Sequence, residues 1–186
     1  INRFDTIASS LLVVDNGEPQ LGMVLNPTSG EIAYGGKTVD GRLLQFSIFG
    51  EKIQGMPLPL DKGRPESRLV TVHPNRHGYL LERVYELWRN NEIHFVRSPG
   101  GSPAHALMDS AKGSSNYLNL WTKEAAKPYD LAAAALLLRS AGGEIFNLQG
   151  EPIDPLKHSG PFYAINGNDL HSSLPEILRK SLLSIT

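Results

Sequence analysis

Two short stretches of this 186-residue chain hold residues whose type and spacing could do chemistry. In Lys127-Pro128-Tyr129-Asp130-Leu131-Ala132-Ala133-Ala134, a carboxylate stands at the start of a small-residue helix that runs to Ala141-Gly142-Gly143. Such a carboxylate has two uses. It can cap free amides and suit the helix macrodipole, a contribution of roughly 0.5–2 kcal/mol, or it can act as a hard-oxygen metal ligand aimed into a cleft. The small alanines let this helix lie close to an adjacent element. In Arg97-Ser98-Pro99-Gly100-Gly101-Ser102, glycines permit a tight turn from a strand into a helix. Free N–H groups at that helix start attract anions such as phosphate. The same residues also make a plain turn closed by a Ser102 N-cap.

Other chemistries are excluded or unsupported. The chain has no cysteine, so disulfides, thiolate zinc sites and a cysteine nucleophile are all ruled out. It contains no GxxxxGK[ST], no GxGxxG opening a helix, no HExxH and no GxSxG. Six histidines show no metal-ligand spacing, and Pro74 between His73 and His77 argues against a shared helical face. With 18 Lys+Arg against 19 Asp+Glu the net charge is −1, which lacks the basic footprint of a nucleic-acid or anionic-membrane binder. The longest apolar stretch, Leu131 to Leu138, falls far short of the ~20 residues that cross a bilayer. A 40% hydrophobic share with 20% charged residues reads as globular. Neither nucleic acid nor membrane is expected as a partner, and a cytoplasmic location is expected.

The elements that must position these residues follow from turn signals and periodicity. Thr6 to Asp15 is rich in β-branched and apolar types, and Asn16-Gly17 turns it back into a second strand, Gln20 to Leu25. Glu31 to Tyr34 and the less regular Gly41 to Phe49 are further strands, and Gly50 to Pro65 reads as a loop. Strands then alternate with helices: a strand at Arg68 to Val72, a helix at His77 to Arg89 and a strand at Ile93 to Val96. A helix from Ser102-Pro103 to about Ala111 comes next, then a strand at Tyr117 to Trp121. The Ala/Leu helix from Asp130 to Ala141 stops at Gly142-Gly143. Strands at Glu144 to Leu148 and Phe162 to Ile165 precede a last helical region, Asn168 to about Leu183, broken near Pro175. The expected fold is a single α/β (α+β) domain, a mixed β-sheet flanked by helices.

In this order, the two stretches resemble the C-terminal portion of the inositol monophosphatase superfamily. The family's late aromatic-Asp-x-Ala-Ala helix ending in Ala-Gly-Gly is matched by Tyr129-Asp130-Leu131-Ala132-Ala133 and Ala141-Gly142-Gly143. Its Arg-Ser-x-Gly segment is matched by Arg97-Ser98-Pro99-Gly100. Asp15-Asn16-Gly17 through Val24 resembles the family hairpin, and Asn26 to Glu31 the turn after it. Asn147-Leu148-Gln149-Gly150 sits where the family often has Asp-x-x-Gly. The resemblance covers nearly the whole chain.

The resemblance implies a layered sugar-phosphatase-like fold and a Mg2+-dependent phosphomonoesterase acting on a small phosphorylated polyol, sugar or nucleotide. Asp130 corresponds to a metal-binding, catalytic carboxylate. Gly100, Gly101 and Ser102 correspond to a substrate-contacting loop, with Lys123, Glu124 and Lys127 as further candidate substrate contacts. Family members often place a Glu where this chain has Lys123, one residue from Glu124. A lysine there favours an additional anionic group, or is a solvated loop charge. The family's Asp-Pro-x-Asp-Gly-Thr segment, which supplies most metal ligands, occurs nowhere in this sequence. Ile1-Asn2-Arg3-Phe4 resembles the stretch that follows it. The chain is therefore expected to be incomplete at the N-terminus: a cleaved or trimmed phosphatase, one domain apart, or a pseudoenzyme. Its expected partners are its small substrate, its own N-terminal segment and a second copy in a homodimer. The alternative is a non-catalytic binding or assembly domain that keeps the fold without the metal site.

Overall fold

A computed structural model describes residues 8–45, 54–60, 68–73, 78–97, 102–120 and 126–183. The Asn16-Gly17 signal is borne out. Both residues have positive φ, 50° and 79°, the conformation that a two-residue hairpin turn requires. The turn joins β1 (Ser9–Asp15) to β2 (Glu18–Asn26), with Asp15 opposite Glu18 and a register shift between Val13 and Val14. β3 (Glu31–Gly36), β4 (Arg42–Gln45) and β5 (Gln54–Pro57) continue an antiparallel sheet in the order β1-β2-β3-β4-β5.

The second half forms a separate sheet in the order β7-β6-β8-β10-β9. β6 (Leu69–His73) pairs in parallel with β7 (Phe95–Arg97) and β8 (Asn116–Asn119). β10 (Phe162–Ile165) pairs antiparallel with β8 and with β9 (Glu144–Asn147). The helices are α1 (Gly78–Arg89), α2 (Pro103–Ala111), α3 (Pro128–Ser140) and α4 (Leu174–Leu183). None of the described helices is long and apolar enough to cross a membrane.

The expected α/β class, with a mixed sheet flanked by helices, is borne out by the second sheet. The antiparallel sheet is an addition to it, since among the described residues β1 to β5 pair with none of the later five strands. Two expectations need correction. The stretch from Gly50 to Pro65 is not all loop: Gln54–Pro57 is β5, and Met56 pairs with Leu43 and packs on the core. Pro175 does not break a helix but stands in the first turn of α4, where a missing N–H costs nothing. The chain before it, from Asn168, is turn rather than helix.

Two apolar clusters hold four layers together. The inner face of the antiparallel sheet (Val24, Ala33, Leu43) packs on α2 and α3, whose far sides meet Tyr117, Phe162 and Ala164 of the mixed sheet. The opposite face of the mixed sheet (Val70, Val72, Leu118, Tyr163, Ile165) carries α1 and α4 through Val84, Leu87, Leu174, Leu178 and Leu182. α3 is therefore covered on both sides, which is why its sequence is apolar all round rather than striped.

A buried polar knot ties the mixed sheet to the turn after β10. Asn116, Asn166 and Asp169 are each wholly buried. Asn116 Nδ2 donates to Asp169 Oδ2 at 2.6 Å and to the Leu69 carbonyl at 3.2 Å, while its Oδ1 accepts from the Asn166 main chain at 2.9 Å. Asn166 Nδ2 donates to the same Asp169 oxygen at 2.9 Å. Each amide spans two elements, so the buried polar atoms are matched rather than stranded.

Candidate functional site

The sheet end where β1 begins and β2 finishes gathers the chemistry. Ser10, which pairs with Val24, donates its hydroxyl to the Tyr129 carbonyl at 3.1 Å, so the first turn of α3 lies against the start of β1. Two residues beyond Val24, Asn26 meets His105 of α2, with Asn26 Nδ2 and His105 Nε2 3.0 Å apart. The first turns of α2 and α3 thus share one end of the antiparallel sheet.

Of the expected site residues, Asp130, Lys127 and Ser102 lie within the described residues. Gly100, Gly101, Lys123 and Glu124 lie outside them. Lys127 immediately precedes α3 in an extended conformation (φ −83°, ψ 160°), followed by Pro128 in the first turn. Asp130 turns back so that its Oδ2 accepts the Lys127 main-chain N–H at 3.0 Å. This is the capping role of a first-turn carboxylate. Ser102 holds the N-cap position of α2, also extended (φ −72°, ψ 126°), but its hydroxyl makes no capping hydrogen bond. The helix start is set by Pro103 instead.

Asp130 does not by itself make a metal centre. Among the described residues no group of three or more His, Asp or Glu side chains is placed to hold a metal ion. Its carboxylate is the right hard-oxygen donor for Mg2+, yet such a site needs several oxygen ligands. The residues present fit one ligand and not the whole set.

Polar residues that the sequence did not single out flank this corner. Asn26 Oδ1 accepts the N–H groups of Thr28 at 2.9 Å and Ser29 at 3.3 Å, which turns its Nδ2 toward His105. His105 Nε2 is then the acceptor, and its Nδ1 faces Asp109 Oδ2 at 3.7 Å. Just past the end of α2, Lys112 Nζ reaches Glu31 Oε2 at 2.8 Å and Asp109 Oδ1 at 3.5 Å. Burial alone would raise the Glu31 carboxyl. The hydrogen bond and charge of Lys112, with the Ser29 hydroxyl, outweigh it, holding the pKa below the usual carboxylate value. The available signal was the turn residue Asn26 followed by Pro27, which marks a side chain folded onto its own backbone.

A cleft of about 800 Å³ opens at the other end of α3 beside Leu136, Arg139, Glu18, Lys37 and the Asp154–Lys157 turn. Its cations are already matched: Lys37 by Glu18, Arg139 by Glu144 at 2.7 Å and Lys157 by Asp154 at 3.1 Å. Neither Asp130 nor Ser102 lines it. Size therefore does not make it the site.

Comparison with known proteins agrees with the fold. The chain resembles an IMPase of Thermotoga maritima (TM-score 0.65, 18% identity), covering 95% of this chain and 62% of that one. Inositol monophosphatase II of Staphylococcus aureus aligns with TM-score 0.66 and 20% identity, over 95% of this chain and 59% of its own. The extragenic suppressor protein SuhB of Bartonella henselae gives TM-score 0.66 and 17% identity, over 95% and 61%. The chain thus spans about three fifths of the length of these relatives. No curated protein matches its sequence. The inositol monophosphatase family itself matches residues 1–181. With nearly every residue inside that match, and with the layered fold of its solved relatives, the chain belongs to the inositol monophosphatase family.

Proposed function

We propose that the protein is a Mg2+-dependent phosphomonoesterase that hydrolyses a small phosphorylated polyol, sugar or nucleotide. The observation that carries this reading is the placement of Asp130. Its carboxylate stands at the first turn of α3, at the same sheet end as the first turn of α2, in a chain of the inositol monophosphatase family. The two helix starts offer N–H dipoles for an anionic group, and Asp130 offers a hard oxygen for the metal. When bound, Mg2+ would polarise the phosphate ester and acidify a water.

The substrate class is supported by the staphylococcal relative, whose structures carry inositol monophosphate and 2'-AMP, phosphate monoesters of a polyol and of a nucleoside. In this chain Ser102, with Gly100 and Gly101, would hold the substrate, and Lys123, Glu124 and Lys127 would select it. The remaining acidic ligands would come from an Asp-Pro-x-Asp-Gly-Thr segment that these 186 residues do not contain. One carboxylate does not organise a two-metal site, so these residues alone should turn over little substrate.

The competing reading is a non-catalytic binding or assembly domain. It is favoured by the capping bond of Asp130 and by the lack of a three-ligand cluster among the described residues. Calorimetric Mg2+ titration and phosphate release from inositol monophosphate and 2'-AMP separate the two, using the metal-complete protein and its Asp130→Asn variant. Loss of Mg2+ affinity and activity in the variant supports the phosphatase. A variant that equals the parent in both leaves the binding domain.

A further inference from the structure

The C-terminal end of α3 carries a charge that the fold leaves unanswered. Two hollows meet there. The cleft of about 800 Å³ and a second hollow of about 380 Å³, walled by Leu58, Pro59, Ala141 and Gly142, have Asp40 and Ser140 in common. Asp40 precedes Gly41, whose N–H donates to the Ser140 carbonyl at 3.1 Å. Asp40 is thereby tethered beside the last residue of α3. A helix C-terminus carries roughly half a negative charge and favours a cation. Here its neighbour is an anion.

The other charged side chains of the cleft are matched. Lys37 pairs with Glu18, Lys157 with Asp154 and Arg139 with Glu144. Arg139 is the basic residue in the last turn of α3, and its Nη2 also donates to the Ile153 carbonyl at 2.7 Å, so it is not available to Asp40. Asp40 itself is exposed, and among the described residues no cation pairs with it. Ser140, between the hollows, donates its hydroxyl to the Leu137 carbonyl at 2.7 Å, which leaves the hydroxyl oxygen as an acceptor. Away from this point the cleft wall turns apolar, through Pro19, Ala132, Leu136, Pro152 and Ile153.

We propose that the joined hollows bind a small aliphatic amine, with its ammonium group held by Asp40 at the end of α3 and its methylene chain along Leu136, Pro19 and Ile153. The ammonium supplies the positive charge that both the carboxylate and the helix end call for. A methylene chain covers apolar wall while its charged head stays at the rim, as a lysine stem does. An anionic ligand would have to break an existing ion pair to find a cation, and a neutral one would leave Asp40 unanswered. Ser140 lies about 15 Å along α3 from Asp130 at the α-helical rise, so this site is distinct from the candidate metal corner. The inference does not rest on the phosphatase reading.

Calorimetric titration of the full chain with butylammonium chloride at fixed ionic strength tests it. Sodium butyrate and 1-butanol are probes of the same length without the positive charge, and ammonium chloride is the charge without the stem. Butylammonium should bind, with the other three at least about tenfold weaker. Asp40→Asn should weaken butylammonium about five- to tenfold, the worth of one exposed ion pair together with the helix end. Glu82→Gln, which removes an exposed carboxylate from α1 on the far side of the mixed sheet, should leave binding unchanged. Both substitutions are at the surface, and equal melting temperatures check that the fold is kept. No butylammonium binding at about 50 mM, or equal binding by parent and Asp40→Asn, overturns the proposal. Equal losses in Asp40→Asn and Glu82→Gln overturn it too, because they mark general attraction to surface charge.

Discussion

The carbonyl oxygen of Ala133 occupies the space where Gly22 would carry a side chain: a Cβ built on Gly22 lies 2.1 Å from it. β2 and α3 touch backbone to backbone at this point, which only glycine allows. Replacing Gly22 by Ala forces the helix off the sheet, and the expected cost is about 1–3 kcal/mol or more, typical of overpacking. Gly55→Ala is the control, since its added Cβ meets nothing nearer than Leu44 Cδ2 at 3.7 Å. Chemical denaturation of both variants should separate them clearly, with Gly55→Ala within about 0.5 kcal/mol of the parent.

The Asp130 cap makes a second, stability-based prediction that is independent of catalysis. Asp130→Ala removes the acceptor for the Lys127 N–H and should cost about 1 kcal/mol. Asp130→Asn keeps an acceptor and loses the charge that suits the helix start, so about 0.3–1 kcal/mol is expected. Equal melting temperatures for parent and Asp130→Ala would mean that the carboxylate does not cap α3 in solution.

The buried knot of Asn116, Asn166 and Asp169 should be the costliest polar site to disturb. Asp169→Leu strands donors on both asparagines inside the fold, so a loss of about 3 kcal/mol or more is expected. A double-mutant cycle with Asn116→Ala checks whether the effect belongs to the pair. Simple additivity would show that the two side chains act separately.

The Glu31–Lys112 pair predicts a pH dependence with a definite sign. The folded-state pKa of Glu31 is lowered, so its contribution is present above the unfolded carboxylate value near 4.5 and is lost as pH falls through the folded value. Glu31→Gln should therefore be less stable than the parent at pH 7, and the gap should narrow as pH falls below the unfolded value of 4.5. Urea unfolding across pH 3 to 7 measures this. A gap that stays constant with pH would remove the ion pair as its cause.

Much of this could be read from the residues because local signals and tertiary packing agree. Asn16-Gly17 sets the hairpin, Gly142-Gly143 ends the Ala/Leu helix, and small alanines at 132 to 135 foretell the close approach that Gly22 completes. What could not be read depends on partners distant in the chain. A separate second sheet is a matter of which strands pair, and no local pattern in Leu69–His73 says that its neighbours are β7 and β8. β5 was hidden because Gly55 and Pro57 look like loop residues, although Met56 points into the core between them. Pro175 was misread because proline ends one helix as readily as it begins another. At the site, Asp130 was found by its position before a small-residue helix. Asn26 and His105 were not, since 79 positions separate them.

The filling of α3 has a consequence for how the molecule can change over time. Leu131, Ala134, Ala135, Leu137 and Leu138 are wholly enclosed between the two sheets, so alanine methyl groups act as the spacer that sets the gap. A residue enlarged there pushes on both sheets together and can be accommodated only by compensating changes in each. The two halves of the chain are thereby bound to co-evolve. Sequence drift should be slow and paired along α3, and fast and independent on α1 and α4, which each touch a single sheet.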